Sequence, residues 1–325
     1  MVYPENFQSA KLGEYAHQLI QQHFKRCMKF EKAVLDDEDP EALHQMRVGM
    51  RRLRTALQIV SPALDVPTSA NPKYIRRIAQ VLGRVRDADV LKAELETRYR
   101  PQLSNPEADK LDLVLKHLRQ QRKKDFKKLK KTLSTSAYQD FKQGDKTWLQ
   151  HLTYKPVAEL PIGSVLPDLL LPLISELLLH PGWLVGYNTP DDPSQSTQFQ
   201  PIAQLLDQQG EVLHSLRKQM KQVRYQTEFF EEFYSPDYAA QVQDFKGVQE
   251  LLGQIQDHAV LSHLLTSQLG GDLEAELPTL AHQFQESSAK LWKDWQPIQQ
   301  RYLNPDFRGR LRSHVLTPLG STPQI

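Results

Sequence analysis

A charged pattern that occurs twice in one register constrains this chain more than any other feature. Residues 41–54 read EALHQMRVGMRRLR and residues 211–224 read EVLHSLRKQMKQVR. Glu41, Leu43, His44, Arg47, Met50, Arg51 and Arg54 match Glu211, Leu213, His214, Arg217, Met220, Lys221 and Arg224, every pair with the same displacement. A second pair of segments, LGRVRDADVL from Leu82 and LGQIQDHAVL from Leu252, keeps that displacement. Two matches in one register identify an internal duplication. Its best-kept positions include a basic stripe, and that stripe points to a polyanion ligand.

The rest of the chain limits what such a stripe can belong to. A length of 325 residues suits two domains or one duplicated unit. The single cysteine, Cys27, leaves no internal disulfide framework and fits a reducing, cytoplasmic setting. The first residues do not read as a signal peptide. The most apolar stretch, from about residue 160 to 186, carries Asp168 and Glu176 and is broken by Pro167, Pro172 and Pro181. It reads as a core helix and not as a membrane span, which needs about 20 mostly apolar residues with few charges. A net charge of +2 and a pI near 8.4 give little long-range attraction for a polyanion, so any anion must be met by charges gathered locally.

The pattern is all-α. Proline is favoured at the first helical position after an Asn, Asp or Ser cap, where its missing N–H is not needed. Asp39-Pro40, Asn71-Pro72, Asn105-Pro106 and Ser235-Pro236 follow that rule, each ahead of a stretch with helical apolar spacing. Helices are predicted near 6–35, 40–60, 72–100, 106–133, 163–180, 201–234, 236–268 and 276–302, with short ones around 137–150. The third helix of the second repeat should start early after a short loop. This divides the chain into a first four-helix repeat over 1–155, a second over 156–303 and a tail over 304–325. The polar segment from Gly186 to Gln200 reads as a mobile loop.

At about 100° per residue, with His44 at zero, Arg47, Arg51 and Arg54 lie between roughly 280° and 340°. Leu43, Met46, Met50, Leu53 and Leu57 fill the neighbouring arc. The cations therefore border the core seam, whereas a solvated charged face normally lies opposite it. His214, Arg217, Lys221 and Arg224 repeat the arrangement. Like charges one turn apart destabilise a helix by a few tenths of a kcal/mol per pair, so an anion is expected to offset them. Arginine suits phosphate because its planar fork donates two parallel charge-assisted hydrogen bonds. The plainer reading is a set of salt bridges to neighbouring helices. His44 and His214 lack a second ligand at metal-binding spacing and sit among repelling arginines, so no metal or other cofactor is expected. Beside phosphate they would hydrogen-bond to it, with a raised pKa.

Gly83 and Gly253 fall inside helices at a cost of about 1 kcal/mol relative to alanine, which close helix–helix approach would explain. Asp87 and Asp257 are expected to orient the basic side chains. Arg84 adds a cation on the third helix, where the second repeat has Gln254. From Lys110 to Lys131 ten Lys or Arg accompany two Asp. Arg122 shares an arc with Leu118, Phe126 and Leu129 and is expected on the ligand surface; the lysines read as solubilising.

The His-x-x-Arg…Arg-Arg-x-Arg helix followed by LGxxRDxD resembles the conserved histidine α-helical domain, or CHAD, family, from about residue 6 to 303. His44, Arg47, Arg51, Arg52, Arg54, Leu82, Gly83, Arg86, Asp87 and Asp89 carry the match in the first copy. His214, Arg217, Lys218, Lys221, Arg224 and Tyr225 carry it in the second, which departs at Gln254, Gln256 and Ala259. The resemblance implies duplicated four-helix bundles related by a pseudo-twofold axis, with a basic groove or pore between them. It also implies binding of inorganic polyphosphate, in some members at polyphosphate granules. Members sometimes carry a triphosphate-processing CYTH domain; ELETR at Glu94–Arg98 echoes its motif faintly but lies on a predicted helix.

Other polyanion readings fit less well. Single-strand nucleic-acid binding adds exposed aromatics for stacking, and Tyr225 is nearly alone on these stripes. Phosphoryl chemistry would show a P-loop or carboxylates holding Mg²⁺; Asp87 and Asp89 are the candidates for the latter. The expectation is a non-enzymatic polyphosphate binder with no membrane partner, and a lopsided one, because Gln254 and Gln256 make the second repeat less basic.

Overall fold

Pairs of a capping residue and a proline set where the helices begin. The computed structural model describes residues 10–67, 71–187 and 202–319 and is all-α, with no strand among the described residues. In chain order the helices are α1 (Leu12–Lys29), α2 (Glu31–Asp36), α3 (Pro40–Ile59), α4 (Pro72–Glu94), α5 (Asn105–Leu133), α6 (Ser136–Gln150), α7 (Ile162–Leu178), α8 (Ile202–Glu228), α9 (Pro236–Leu269), α10 (Leu273–Glu276), α11 (Pro278–Leu303) and α12 (Pro305–Leu316). The Asp39 side chain accepts from the Glu41 amide and the Asn71 side chain from the Lys73 amide. Ser235 precedes α9 without a side-chain cap, and α5 begins at Asn105 itself.

The tail from 304 to 325 is ordered as a helix over its first half. Asn304 accepts from the amides of Asp306 and Phe307 and starts α12, which buries Leu311 and Val315. Asn304-Pro305 is one more cap–proline pair, and it was open to the same reading as the other four. The loop expected from Gly186 to Gln200 lies, beyond residue 187, outside the described residues.

The chain forms two compact units: residues up to Pro101 with Leu111–Val165, and Gln102–Lys110 with Leu166–Leu319. The division falls within the first turn of α7 and not at residue 155, and the start of α5 goes with the second unit.

In the first unit α3 lies between α1 and α4. Met46, Met50, Leu53, Ala56 and Leu57 of α3 are buried against Ala16, Ile20 and Cys27 of α1 and Ile75, Ile78, Leu82 and Val85 of α4. A Cβ on Gly49 would stand 2.8 Å from the Cys27 sulfur, so the missing side chain lets α1 and α3 approach closely. In the second unit α8 packs on α9, and α11 closes over both. Trp183 stacks on Tyr302 at 4.3 Å and on Trp295 at 5.4 Å, while the Gln299 amide donates to the carbonyls of Trp183 and Val185. The stretch Ile162–Leu184 is long and apolar enough, by length and composition, to cross a membrane. Leu166, Leu170, Ile174, Leu177 and Leu178 on it are buried in the protein. Pro167 and Pro172 lie within α7.

His23 of α1 is buried beneath α3, and its pKa is pushed down to about 4 by desolvation first and then by Arg52 and Arg26. A histidine depressed on folding takes up its proton more readily when unfolded, so stability falls as pH drops from about 6.5 to 4. The shift corresponds to about 3 kcal/mol. Denaturant titrations at pH 7 and pH 4 should show His23→Gln losing less stability than the natural chain over that interval; an equal loss would refute the assignment.

Candidate functional site

The glycines of the second repeated motif sit where α4 meets α3 and α9 meets α8. A Cβ built on Gly83 would lie 3.4 Å from Nε and 3.5 Å from Nη2 of Arg47; one on Gly253 would lie 3.2 Å from both Nε and Nη2 of Arg217. In each unit an arginine from the His-x-x-Arg motif rests its guanidinium on the bare backbone of the next helix. The expected cause of these glycines, close approach of two helices, is therefore corrected: the neighbour is a side chain.

Asp87 lies one turn beyond Gly83 and accepts from Arg47 Nη1 at 2.7 Å. The carboxylate is 60% exposed, so the pair contributes at most about 1 kcal/mol. Its consequence is to hold the guanidinium in one orientation. Arg217 has no ion pair among the described residues, and its Nε is buried without a hydrogen-bond partner. Asp257 stands at the register of Asp87 on α9 and is exposed.

The remaining cations of α3 gather around this contact. His44 is half-buried, and its pKa is lowered by desolvation first and next by the charge of Arg86; Glu41 opposes the shift and Arg51 and Arg47 add to it. Arg54 is half-buried too. Its pKa is lowered by desolvation, then by Arg76 and Arg51; it has no ion pair among the described residues, and its Nε is buried without a partner. Arg86 has the same description: half-buried, no ion pair, a buried Nε without a partner. These positive groups disfavour one another across α3 and α4.

On α8 the His214 pKa is lowered by desolvation and then by Lys218, with Glu211 opposing and Arg217 adding. Its Nδ1 is buried without a partner. Arg224 is held over the Tyr225 ring at 4.5 Å, and its ion pair to Glu228 is stretched to 3.7 Å. Lys221 is half-buried and Lys218 exposed.

One site assignment needs correction. Arg122 is not open to a ligand, because its fork is held by both oxygens of Asp37 and its Nε donates to Asp89 Oδ1 at 2.9 Å. Those carboxylates raise its pKa. Arg84 is exposed. It follows Gly83 directly and so is turned about 100° round the helix. Arg86 and Arg76 were missed as cluster members. They lie three residues after and seven before Gly83, positions that return to the same face, so the helical period could have found them. In the second unit the matching positions hold Gln256 and Lys246. Among the described residues no three His, Cys, Asp or Glu side chains are grouped to hold a metal ion.

A family model of the CHAD domain matches residues 18–266. No curated protein matches the chain. Solved structures of similar fold include the following two. A CHAD domain from the plant Ricinus communis shares 23% identity at a TM-score of 0.54, over 96% of this chain and 94% of that one. PptA from Streptomyces chartreusis shares 15% identity at a TM-score of 0.55, over 87% of this chain and 99% of that one.

The glycine geometry makes a stability prediction. Alanine at position 83 meets Arg47 at ordinary van der Waals distance, so Gly83→Ala should recover much of the roughly 1 kcal/mol that glycine costs a helix. At position 253 Arg217 must give way by a few tenths of an ångström, and Gly253→Ala should gain less. Thermal melts of the two variants test the order; a larger gain at 253 would contradict the arginine seat.

Proposed function

We propose that this chain, which belongs to the CHAD domain family, binds inorganic polyphosphate and does not turn it over. Some members of the family bind polyphosphate. One observation carries the reading for this chain: Arg54, Arg86 and Arg217 are half-buried guanidiniums with no carboxylate partner among the described residues. A desolvated charge without a counterion is costly. Phosphate oxygens supply the missing anion and match the planar donor fork. Many such contacts must act together to order a flexible chain, so long polyphosphates bind better than short ones. The setting we propose is cytoplasmic, at polyphosphate granules.

Catalysis is disfavoured by the placement of the two carboxylates that Mg²⁺ could use. Asp87 is engaged by Arg47 and Asp89 by Arg122. Two residues apart on a helix, they point about 200° away from each other. Stacking of nucleobases is disfavoured because Tyr225 is buried beneath Arg224.

The test is binding of long-chain polyphosphate at near-physiological salt with single-stranded DNA as competitor. The natural chain should bind tightly and resist displacement, and a folded Arg47→Ala/Arg54→Ala/Arg217→Ala/Arg224→Ala variant should not bind. Equal affinity for DNA, or an unaffected variant, would leave only a general polyanion surface. Consumption of polyphosphate with Mg²⁺ would make the chain an enzyme. Among single variants, Arg47→Ala should weaken binding more than Arg217→Ala. Affinity should also rise as pH falls through the histidine range, because both histidines are depressed in the free protein and an adjacent phosphate favours the imidazolium.

A further inference from the structure

Helix α5 sorts its cations into two faces. With Lys116 at zero and about 100° per residue, Lys123 and Lys127 fall near 340° and 20°, Lys130 near 320°, and Lys131 and Lys124 near 60° and 80°. All six are exposed, and none has a carboxylate partner among the described residues. The other four cations lie on the opposite arc, from about 120° to 300°, and each is paired: Lys110 with Glu276, Arg119 with Glu96, Arg122 with Asp37 and Asp89, Lys128 with Asp125. From Leu113 to Ser134 the bare arc contains no acidic residue. An ordinary solvated helix face mixes both signs at one-turn spacing, which stabilises it, whereas a row of like charges does the opposite.

We propose that this lysine row is a second polyphosphate contact, taking the part of a long chain that extends beyond the arginine cluster. The inference rests on the polyphosphate reading above. The row runs for about 22 Å along the helix axis, far longer than one phosphate group. Lysine is a point charge that imposes no donor geometry, so the row holds a mobile chain without ordering it. Polyphosphate is favoured over single-stranded nucleic acid because the row offers no exposed Phe, Tyr or Trp ring for stacking. Phe126, the aromatic of α5, is half-buried and lies between Arg122 at 5.1 Å and Lys130 at 4.9 Å from its centroid.

The test replaces Lys116, Lys123, Lys127 and Lys131 by Gln, which has similar helix propensity and leaves every ion pair of α5 in place. Tripolyphosphate, long-chain polyphosphate and single-stranded DNA are then titrated over a range of salt. Long-chain affinity should fall, and the slope of log K against log salt should shrink by about 0.7 for each lysine removed. Tripolyphosphate binding should be unchanged. An unaltered long-chain affinity and slope would overturn the lysine row while leaving the arginine clusters standing. Loss of DNA binding with polyphosphate binding intact would assign the row to nucleic acid instead. A natural chain that binds no polyphosphate of either length would remove the functional reading and this inference together.

Discussion

Positive charge is fixed at the seam between two helices, and at Arg54 and Arg86 it has no carboxylate partner among the described residues. On α3 the cations border the buried arc, so the helix cannot turn them toward water without exposing Met46, Met50 and Leu53. Burying side chains of that size is worth about 1.5–3 kcal/mol each, against a few tenths of a kcal/mol of repulsion per pair of like charges. Packing therefore wins, and the cluster persists in the free protein. Its repulsion is met by folding rather than by binding, so an incoming anion finds donors already held in place. Burial first, and that crowding after it, lowers the pKa values of His44 and Arg54.

What was legible from sequence follows the range of the forces involved. Helix starts are local events, since a cap and a proline decide them within four residues, and the second motif helix does begin early, at Pro236 after a short connection. The face shared by His44, Arg47, Arg51 and Arg54 is fixed by the helical period alone. Partner choice is not local. Arg122 has the spacing of an inward, ligand-facing cation, yet Asp37, separated from it by 85 residues, takes its fork. Asp37 does so from a left-handed conformation, φ 57°, at the end of α2, a position Asp tolerates better than most residues. Nothing in either segment announces that pairing. Gly83 shows the same limit in another form: the period marks it as facing α3, but does not show that an arginine occupies the space.

Arginine and lysine divide the work in a way that composition hides. On α5 both arginines are bound to carboxylates and most lysines are bare, whereas on α3 Arg54 is the bare one. Residue type alone does not decide which cations remain available; the reach of neighbouring carboxylates does. Where an unpaired cation is half-buried its geometry is fixed, and an arginine fork is then selective for a planar or tetrahedral oxyanion. Where it is exposed on a long flexible stem, a lysine supplies only potential. A chain with a net charge of +2 can thus present two strong local fields.

The two arginine clusters are different solutions of one arrangement. In the first unit Arg47 is tethered to Asp87, with Arg86 and Arg76 adding charge; in the second Arg217 has no tether, and Gln256 and Lys246 stand at the matching positions. Counting cations, with Arg52 included, makes the first cluster only slightly the more basic, because Lys218 stands where the first repeat has Val48. Subtracting Asp87 narrows the gap, because that carboxylate neutralises part of Arg47 while Arg217 keeps its full charge. Removal of the two arginines is nonetheless unequal. Without Arg47 the cluster loses a cation and uncovers the Asp87 carboxylate that it pairs with; without Arg217, which has no ion pair among the described residues, no such pair is broken. The larger cost predicted at Arg47 then originates in Asp87, the residue that holds it, more than in the glutamines that make the second repeat look weak.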